Sequence, residues 1–510
     1  MIRLKEKGLT SLLKKIMIAS LFLPATLTAQ NKDFFKESHR PLIHFTPKKG
    51  WMNDPNGMVY YNGTYHLFFQ HNPDSTVWGP MHWGHATSTD LVNWKEQKIA
   101  LFPDALGTIF SGSAVIDVNN TAGFGKNAMV AIYTSHNHGM EKEGFEKVET
   151  QSIAYSLDEG KTWTKYKGNP VLPNPDIRDF RDPKVMWHEP SQKWIMTLAT
   201  RDHITFYSSP DLKHWQVESK FGKNIGAHGG VWECPDLVPF AVEGKQVWLL
   251  IVNLNPGGPN GGSGTQYFTG DFDGSAFKPF DTQTRWLDYG PDNYAGITWS
   301  NTGDRKILIG WMSNWQYANV VPTQNWRSAM TIARELQVVK SDDGYLVTSE
   351  PIQELEKAAT NLLKIDKVKS GKFDLTAKAG ELKGAARLDL SFKKTESFSI
   401  TLSNDLGEEV VVGYDKDQNQ YYIDRSKSGK VSFEKDFAKR HFAPRFTAQS
   451  GMDISLIIDV ASVELFADGG RTSMTSIFFP GKDYSKVIVN TSKNSSINKL
   501  SFKHLKGMSE

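Results

Sequence analysis

The sequence predicts an all-β protein: a β-propeller followed by a C-terminal β-sandwich. Three observations carry that expectation. A short turn motif recurs along the N-terminal part of the chain, helical periodicity is missing from the same stretch, and the composition changes beyond it.

The recurring motif is Ser88-Thr89-Asp90-Leu91-Val92-Asn93-Trp94. It returns as Ser156-Leu157-Asp158-Glu159-Gly160-Lys161-Thr162-Trp163 and as Ser209-Pro210-Asp211-Leu212-Lys213-His214-Trp215. A weaker copy is Asp271-Phe272-Asp273-Gly274-Ser275-Ala276-Phe277. Each copy reads as the end of an apolar strand, an Asp-led turn, and an aromatic residue opening the next strand. Spacings of roughly 50 to 70 residues suit one four-stranded blade plus a loop.

Between the copies lie short apolar or alternating runs bounded by Gly, Asn, Asp or Pro, at residues 64–70, 128–134, 194–199, 247–253 and 306–312. No long amphipathic helical pattern interrupts residues 40–340, so the crossover helices of a parallel α/β fold are not expected. Residues 349–363 read as a short helix or linker. After them Trp disappears, Lys becomes frequent, and alternating strands follow at 387–392, 398–402, 410–414, 454–460, 462–466 and 473–478. Turns such as Ala467-Asp468-Gly469-Gly470 separate them, as in a β-sandwich. The expected division is an export signal over 1–30, the propeller over 31–345, a linker over 346–362 and the sandwich over 363–508.

The bulk numbers agree with two domains. A chain of 510 residues exceeds one ordinary compact core. A formal net charge of +3, with no long run of like charge, argues against a nucleic-acid binder. Aromatic residues make up 12%, a density that suits both β packing and flat rings laid against sugar faces. The single cysteine, Cys234, excludes an intrachain disulfide. Arg3, Lys5, Lys7, Lys14 and Lys15 precede a short apolar run over 16–23, and Leu27-Thr28-Ala29 offers a cleavage site. Export to the periplasm or medium is expected, without a lipoprotein cysteine and without a membrane span. A monomer or weak oligomer is expected.

A propeller brings loops and first strands of several blades to one central pit, so acidic residues in tight contexts on different blades are the candidates for chemistry. Asp54 stands in Trp51-Met52-Asn53-Asp54-Pro55-Asn56-Gly57. Asp182 stands in Asp179-Phe180-Arg181-Asp182-Pro183, where Arg181 can hold a carboxylate ionised or bond sugar hydroxyls. Glu233 stands in Gly230-Val231-Trp232-Glu233-Cys234-Pro235-Asp236, where apolar and sulfur neighbours would raise its pKa as a general acid requires. Taken singly, each also fits a plain role: an Asx turn, a surface turn with a salt bridge, a Glu at a strand end. Cys234 reads as a packed thiol.

Together these segments resemble the signature of glycoside hydrolase family 32, which includes invertases, inulinases and levanases. Further likeness lies in Phe68-Phe69-Gln70-His71-Asn72-Pro73, Trp78-Gly79-Pro80-Met81-His82-Trp83-Gly84-His85, Phe110-Ser111-Gly112-Ser113, Asp292-Asn293-Tyr294-Ala295-Gly296, Gly310-Trp311-Met312 and Ser462-Val463-Glu464-Leu465-Phe466. The resemblance implies a five-bladed propeller followed by a β-sandwich. It implies that Asp54 is the nucleophile forming a covalent fructosyl-enzyme, Glu233 the acid and then the base, and Asp182 the transition-state stabiliser. Trp51, Met52, Asn53, Gln70, Trp78, Phe110, Ser111, Arg181 and Trp311 are the implied substrate pocket, with no cofactor and no metal. The Trp78–His85 segment and Leu287-Asp288-Tyr289-Gly290 are most similar to the levanase and exo-inulinase branch. A fructan oligo- or polysaccharide, cut from its end, is the implied substrate. The alternatives are an endo-acting levanase, a fructosyltransferase, a propeller hydrolase of arabinose or xylose polymers, and a fructan-binding propeller without activity.

Overall fold

A computed structural model describes residues 37–508 apart from 494, so the export segment expected at 1–30 lies outside the described residues. Five antiparallel sheets occupy residues 50–351, and two six-stranded sheets follow. The first strand of each propeller blade is named here: β1 (Gly50–Tyr61), β2 (Thr108–Asp117), β3 (Phe180–His188), β4 (Val231–Val242) and β5 (Tyr294–Thr298). Each packs beside the next, and β5 packs beside β1, so the five first strands form a closed ring. The seam between the last blade and the first is also bonded. Trp326–Arg327 pairs in parallel with Gly50 and Trp51, and the Tyr60 amide donates to the Ser300 carbonyl.

The repeated motif is the turn between the third and fourth strands of a blade. Ser88 Oγ accepts from the amides of Asp90 and Leu91, Asp90 Oδ1 accepts from Val92 and Asn93, and Trp94 Nε1 donates to the Leu91 carbonyl at 3.1 Å. Trp163 and Trp215 make the same bond, to Gly160 and Leu212, also at 3.1 Å. In the fourth blade Asp273 caps the turn and Phe277 replaces the indole.

Middle strands are apolar on both faces because blades pack on both sides. Along Lys193–Thr200, Ile195 and Ala199 enter the cluster shared with the fourth blade, while Met196 and Leu198 enter the one shared with the second. Similar clusters fill the other blade interfaces.

Residues 346–362, expected as a linker, carry strand at both ends. Gly344–Pro351 pairs with Arg334–Ser341 as the outer strand of the fifth blade, with Leu346 and Val347 buried. The 3-10 turn Gln353–Ala358 leads directly into the strand Ala359–Val368, which pairs with the C-terminal strand Ile497–Leu505. The sandwich core contains Leu388, Leu390, Ile400, Val412, Leu456 and Val489, each from the inward-facing set of an alternating strand.

The two domains meet over a buried charge network. Arg334 donates to Asp288 at 2.7 Å, to Thr475 at 2.6 Å and to Glu464. His44 lies between Asp459 and Glu464, at 2.7 Å from each. Arg425 of the sandwich donates to Asp292 at 2.6 Å and to the Tyr317 hydroxyl at 2.9 Å. Asp288 and Asp292 lie just before β5, so the sandwich anchors the segment that delivers that strand to the axis.

Burial alone would lower the His44 pKa, but the two carboxylates outweigh it and raise it to about 9. Its stabilisation is therefore complete below pH 6.5 and is lost as pH rises through about 9. His44→Ala leaves two buried carboxylates short of a partner and is expected to lower the unfolding free energy by about 3–5 kcal/mol. Urea denaturation at pH 6 and pH 9.5 checks both points: the wild type should lose stability over that interval more steeply than the variant. Parallel pH slopes would contradict the assignment.

Candidate active site

All five first strands break their ladders at the same level. The interruption falls at residues 53–54 in β1, 110–111 in β2, 182–183 in β3, 234–235 in β4 and 295–296 in β5. A bulge leaves residues unpaired and re-aims their side chains, here toward the axis. Asp182, Cys234 and Ala295 take φ of 64°, 44° and 53° to make it. Pro183 and Pro235 fall within the bulges and Pro55 directly follows one, positions where the missing amide costs the ladder little.

The bulges bring Asp54, Asp182 and Glu233 into one pit of about 550 Å³. Asn53, Gln70, Trp78, Phe110, Ser111 and Arg181 line it as well. Asp54 accepts from Ser111 Oγ at 2.7 Å and from Asn53 Nδ2 at 3.0 Å. The Cys234 thiol reaches Asp54 at 3.5 Å and Asp182 at 3.6 Å, and its amide donates to Asp182 at 3.0 Å. The Asp182 amide donates to Thr134 Oγ1 at 3.0 Å, which locks the bulge. Tyr294 Oη donates to Glu233 Oε2.

Arg181 is the pit-lining cation beside the carboxyl groups; Arg178 also lines the pit. Arg181 forks to Glu149 at 2.5 Å and Asp179 at 2.6 Å, and its Nε lies 3.4 Å from Glu233. Its guanidinium is thus directed at Glu233 rather than at its neighbour Asp182. Burial opposes ionisation of Glu149, but Arg181 and then His136 hold its pKa down to about 2.

Asp54, Asp182 and Glu233 lie close together among the carboxyl groups of this space, and burial acts on all three. Burial raises Asp182 well above the usual carboxylate range, and the charge of Glu233 adds to that. Burial also raises Glu233, with Arg181 and Tyr294 pulling the other way. Asp54 is raised by burial but opposed by three donors, Ser111, Asn53 and Cys234. Burial and the surrounding carboxylates push the Cys234 thiol up, so it stays protonated. Asp54 is thus the carboxyl with the most side-chain donors, and Glu233 is raised, the direction that suits a proton donor.

Three residues expected in the pocket stand behind it. Trp51, Met52 and Trp311 are fully buried in the cluster between the first and fifth blades. Trp51 acts one step back: its Nε1 donates to Asn53 Oδ1 at 2.7 Å, and its ring stacks on Trp315 with centroids 5.9 Å apart. Trp315, rather than Trp311, meets the pit. Tyr294, Glu149 and His136 also reach the site without having been singled out. Tyr294 was visible only as part of a motif segment, and Glu149 closes a charged run that reads as solvated surface.

A five-bladed propeller with three carboxyl groups converging in an aromatic-walled axial pit defines a glycoside hydrolase. The chain belongs to glycosyl hydrolases family 32: the model of the family's N-terminal domain matches residues 44–351 and that of its C-terminal domain residues 351–505. It is 44% identical to a levanase of Bacillus subtilis over 92% of this chain and 71% of that protein. It is 41% identical to an extracellular exo-inulinase of Aspergillus niger over 88% of this chain and 91% of that one. The solved exo-inulinase of Aspergillus awamori superposes with a TM-score of 0.85 at 36% identity, covering 93% of this chain and 99% of that one. A β-fructofuranosidase of Schwanniomyces occidentalis, solved with fructosyl-erythritol, gives 0.84 at 35% identity, covering 92% and 98%.

Trp51→Phe removes the bond that orients Asn53 while keeping an aromatic ring in the stack. One lost hydrogen bond is worth about 1 kcal/mol, so activity on a fructoside should fall up to about tenfold with the thermal midpoint nearly unchanged. A large fall in the midpoint with unaltered kcat would assign Trp51 to the core alone.

Proposed function

We propose that this protein is an exported, retaining β-fructosidase that releases terminal fructose from levan or inulin and accepts sucrose by the same chemistry. The observation that carries the reading is the convergence of Asp54, Asp182 and Glu233 at the bottom of a single pit. A pit of this size admits the end of a chain, which favours attack at the terminal residue. The named activities of the relatives and the basic, apolar N-terminal run support a polymer substrate met outside the cytoplasm.

Asp54 attacks the anomeric carbon as Glu233 gives its proton to the departing glycosidic oxygen, so the bond to the leaving sugar breaks as the bond to Asp54 forms. The ionised Glu233 then takes a proton from water, whose oxygen attacks the same carbon and expels Asp54. Two inversions leave the anomeric configuration retained. Asp182 accepts hydroxyl hydrogen bonds of the bound fructose and stabilises the positive charge of the oxocarbenium-like transition state. Arg181, held by Glu149 and Asp179, offsets the negative charge that appears on Glu233 when it gives up its proton. Asn53 and Ser111 hold Asp54 at its angle of attack.

Asp54→Asn is expected to cut kcat by at least about 10³-fold with unchanged circular dichroism. Comparable turnover by that variant would reject Asp54 as nucleophile. Wild-type digestion of levan and inulin should give fructose from the first time points; early oligosaccharides would indicate endo attack instead. The hydrogen bond from Tyr294 lowers the pKa of Glu233, so Tyr294→Phe should move the alkaline limb of the kcat/KM profile to higher pH. An unmoved or lowered limb would separate Tyr294 from the proton donor.

A further inference from the structure

The mouth of the pit carries a second cluster that the hydrolytic chemistry does not use. His136 ends the strand Ala128–His136, and His138 opens the short helix His138–Lys142. Asn137 caps that helix by accepting from the Met140 amide, which fixes the turn between the two imidazoles. Glu141 then lies over both rings: its Oε2 is 3.0 Å from His136 Nε2 and 3.1 Å from His138 Nδ1. All three donor atoms lie within 4.8 Å of one another.

We infer that His136, His138 and Glu141 form a binding site for a zinc-class divalent cation at the mouth of the pit. Two imidazoles and one carboxylate are a donor set that zinc-class ions take, with the remaining position left to water. Tetrahedral ligands around such an ion stand roughly 3.3–3.5 Å apart at bond lengths of about 2.0–2.1 Å. The two separations from Glu141 Oε2, 3.0 Å to His136 and 3.1 Å to His138, need to open by only a few tenths of an ångström. Glu141 is exposed, so its side chain has room to give.

The surroundings hold the donors as a metal site requires. His136 Nδ1 is bonded to Glu149 at 3.1 Å. That is the carboxylate–histidine arrangement that orients a ligating imidazole, with Nε2 turned toward Glu141. Phe110 stacks on the His136 ring at 4.2 Å, and the Trp78 edge meets the His138 ring at 5.5 Å, so both imidazoles are oriented by packing.

The position gives the ion a consequence. His136 and Glu141 line the pit, and Phe110 and Trp78 form part of its wall. An ion held there narrows the entrance and fixes the 138–142 turn over it. The same Glu149 that bonds His136 also bonds Arg181, which faces Glu233. Occupancy is therefore expected to oppose substrate entry and raise KM.

The test uses untagged, chelator-treated protein titrated with Co²⁺, whose visible absorption reports an ordered nitrogen–oxygen site of low coordination number. One equivalent should produce the bands, Zn²⁺ should abolish them one for one, and Mg²⁺ or Ca²⁺ should not. Calorimetric titration with Zn²⁺ should show affinity at least tenfold weaker in His138→Ala and in Glu141→Gln, with His214→Ala, a change at an exposed imidazole, as an unaffected control. Zn²⁺ should raise the KM for sucrose in the wild type, and less in the two site variants. No stoichiometric binding to the wild type, or equal affinity in wild type and both variants, overturns the site.

Discussion

The structure depends on one constraint: five neighbouring strands must interrupt their hydrogen-bonded ladders at one level while the rest of each blade stays rigid. Regular strands would send alternate side chains into the blade interfaces and leave the axis lined by whatever remained. The bulges at 53–54, 110–111, 182–183, 234–235 and 295–296 open that level as a pit, with Asn53, Asp54, Phe110, Ser111 and Asp182 lining it from bulged positions. The outer strands, the apolar clusters between blades and the Trp-closed turns hold the bulged positions still. Positive φ at Asp182 and Cys234 is an unfavourable local geometry kept by its surroundings, through the Thr134 hydroxyl and the Asp182 carboxylate.

The same constraint sets the electrostatics. Three carboxyl groups so close, out of bulk water, cannot all ionise. What distinguishes them is the supply of donors. Asp54 has a hydroxyl, an amide and a thiol; Glu233 has the phenol of Tyr294 and the flank of Arg181; Asp182 has the Cys234 amide and thiol. The sandwich contributes from a distance. Asp288 and Asp292, clamped by Arg334 and Arg425 with Thr475 and Tyr317, fix the chain just before Tyr294. The sandwich, none of whose described residues lines the pit, thereby positions Tyr294, the partner of the proposed proton donor Glu233.

Much of this was legible in the sequence, for physical reasons. The Ser-x-Asp turns closed by Trp are local and self-contained, so they announce the blades. The Asp-Pro and Cys-Pro pairs mark places where a strand gives up its ladder, and they flag Asp54, Asp182 and the neighbour of Glu233. What was not legible is which way each neighbouring residue points. Trp51 and Met52 fall in the core while Asn53 and Asp54 both reach the pit, because a bulge breaks the period of two on which such assignments rest. The exchange of Trp311 for Trp315 has another origin: Trp311 lies on a regular strand with its ring in the core, and Trp315 lies in the turn beyond it. Glu149 and His136 come from the second blade and meet Arg181 only through tertiary structure. The expected linker proved mostly strand because Leu346 and Val347 complete the fifth blade.

The bulged first strand of the first blade is proposed to present Asp54 to the anomeric carbon of a terminal fructose. This role of Asp54 is tested most directly by rapid acid quench during turnover of sucrose, followed by peptic digestion and mass spectrometry of the peptide containing residues 51–57. The account predicts one fructosyl unit covalently attached to that peptide, with fragmentation placing it on Asp54. A fructosyl unit on any other residue, or unmodified peptide together with a product of inverted anomeric configuration, would contradict it.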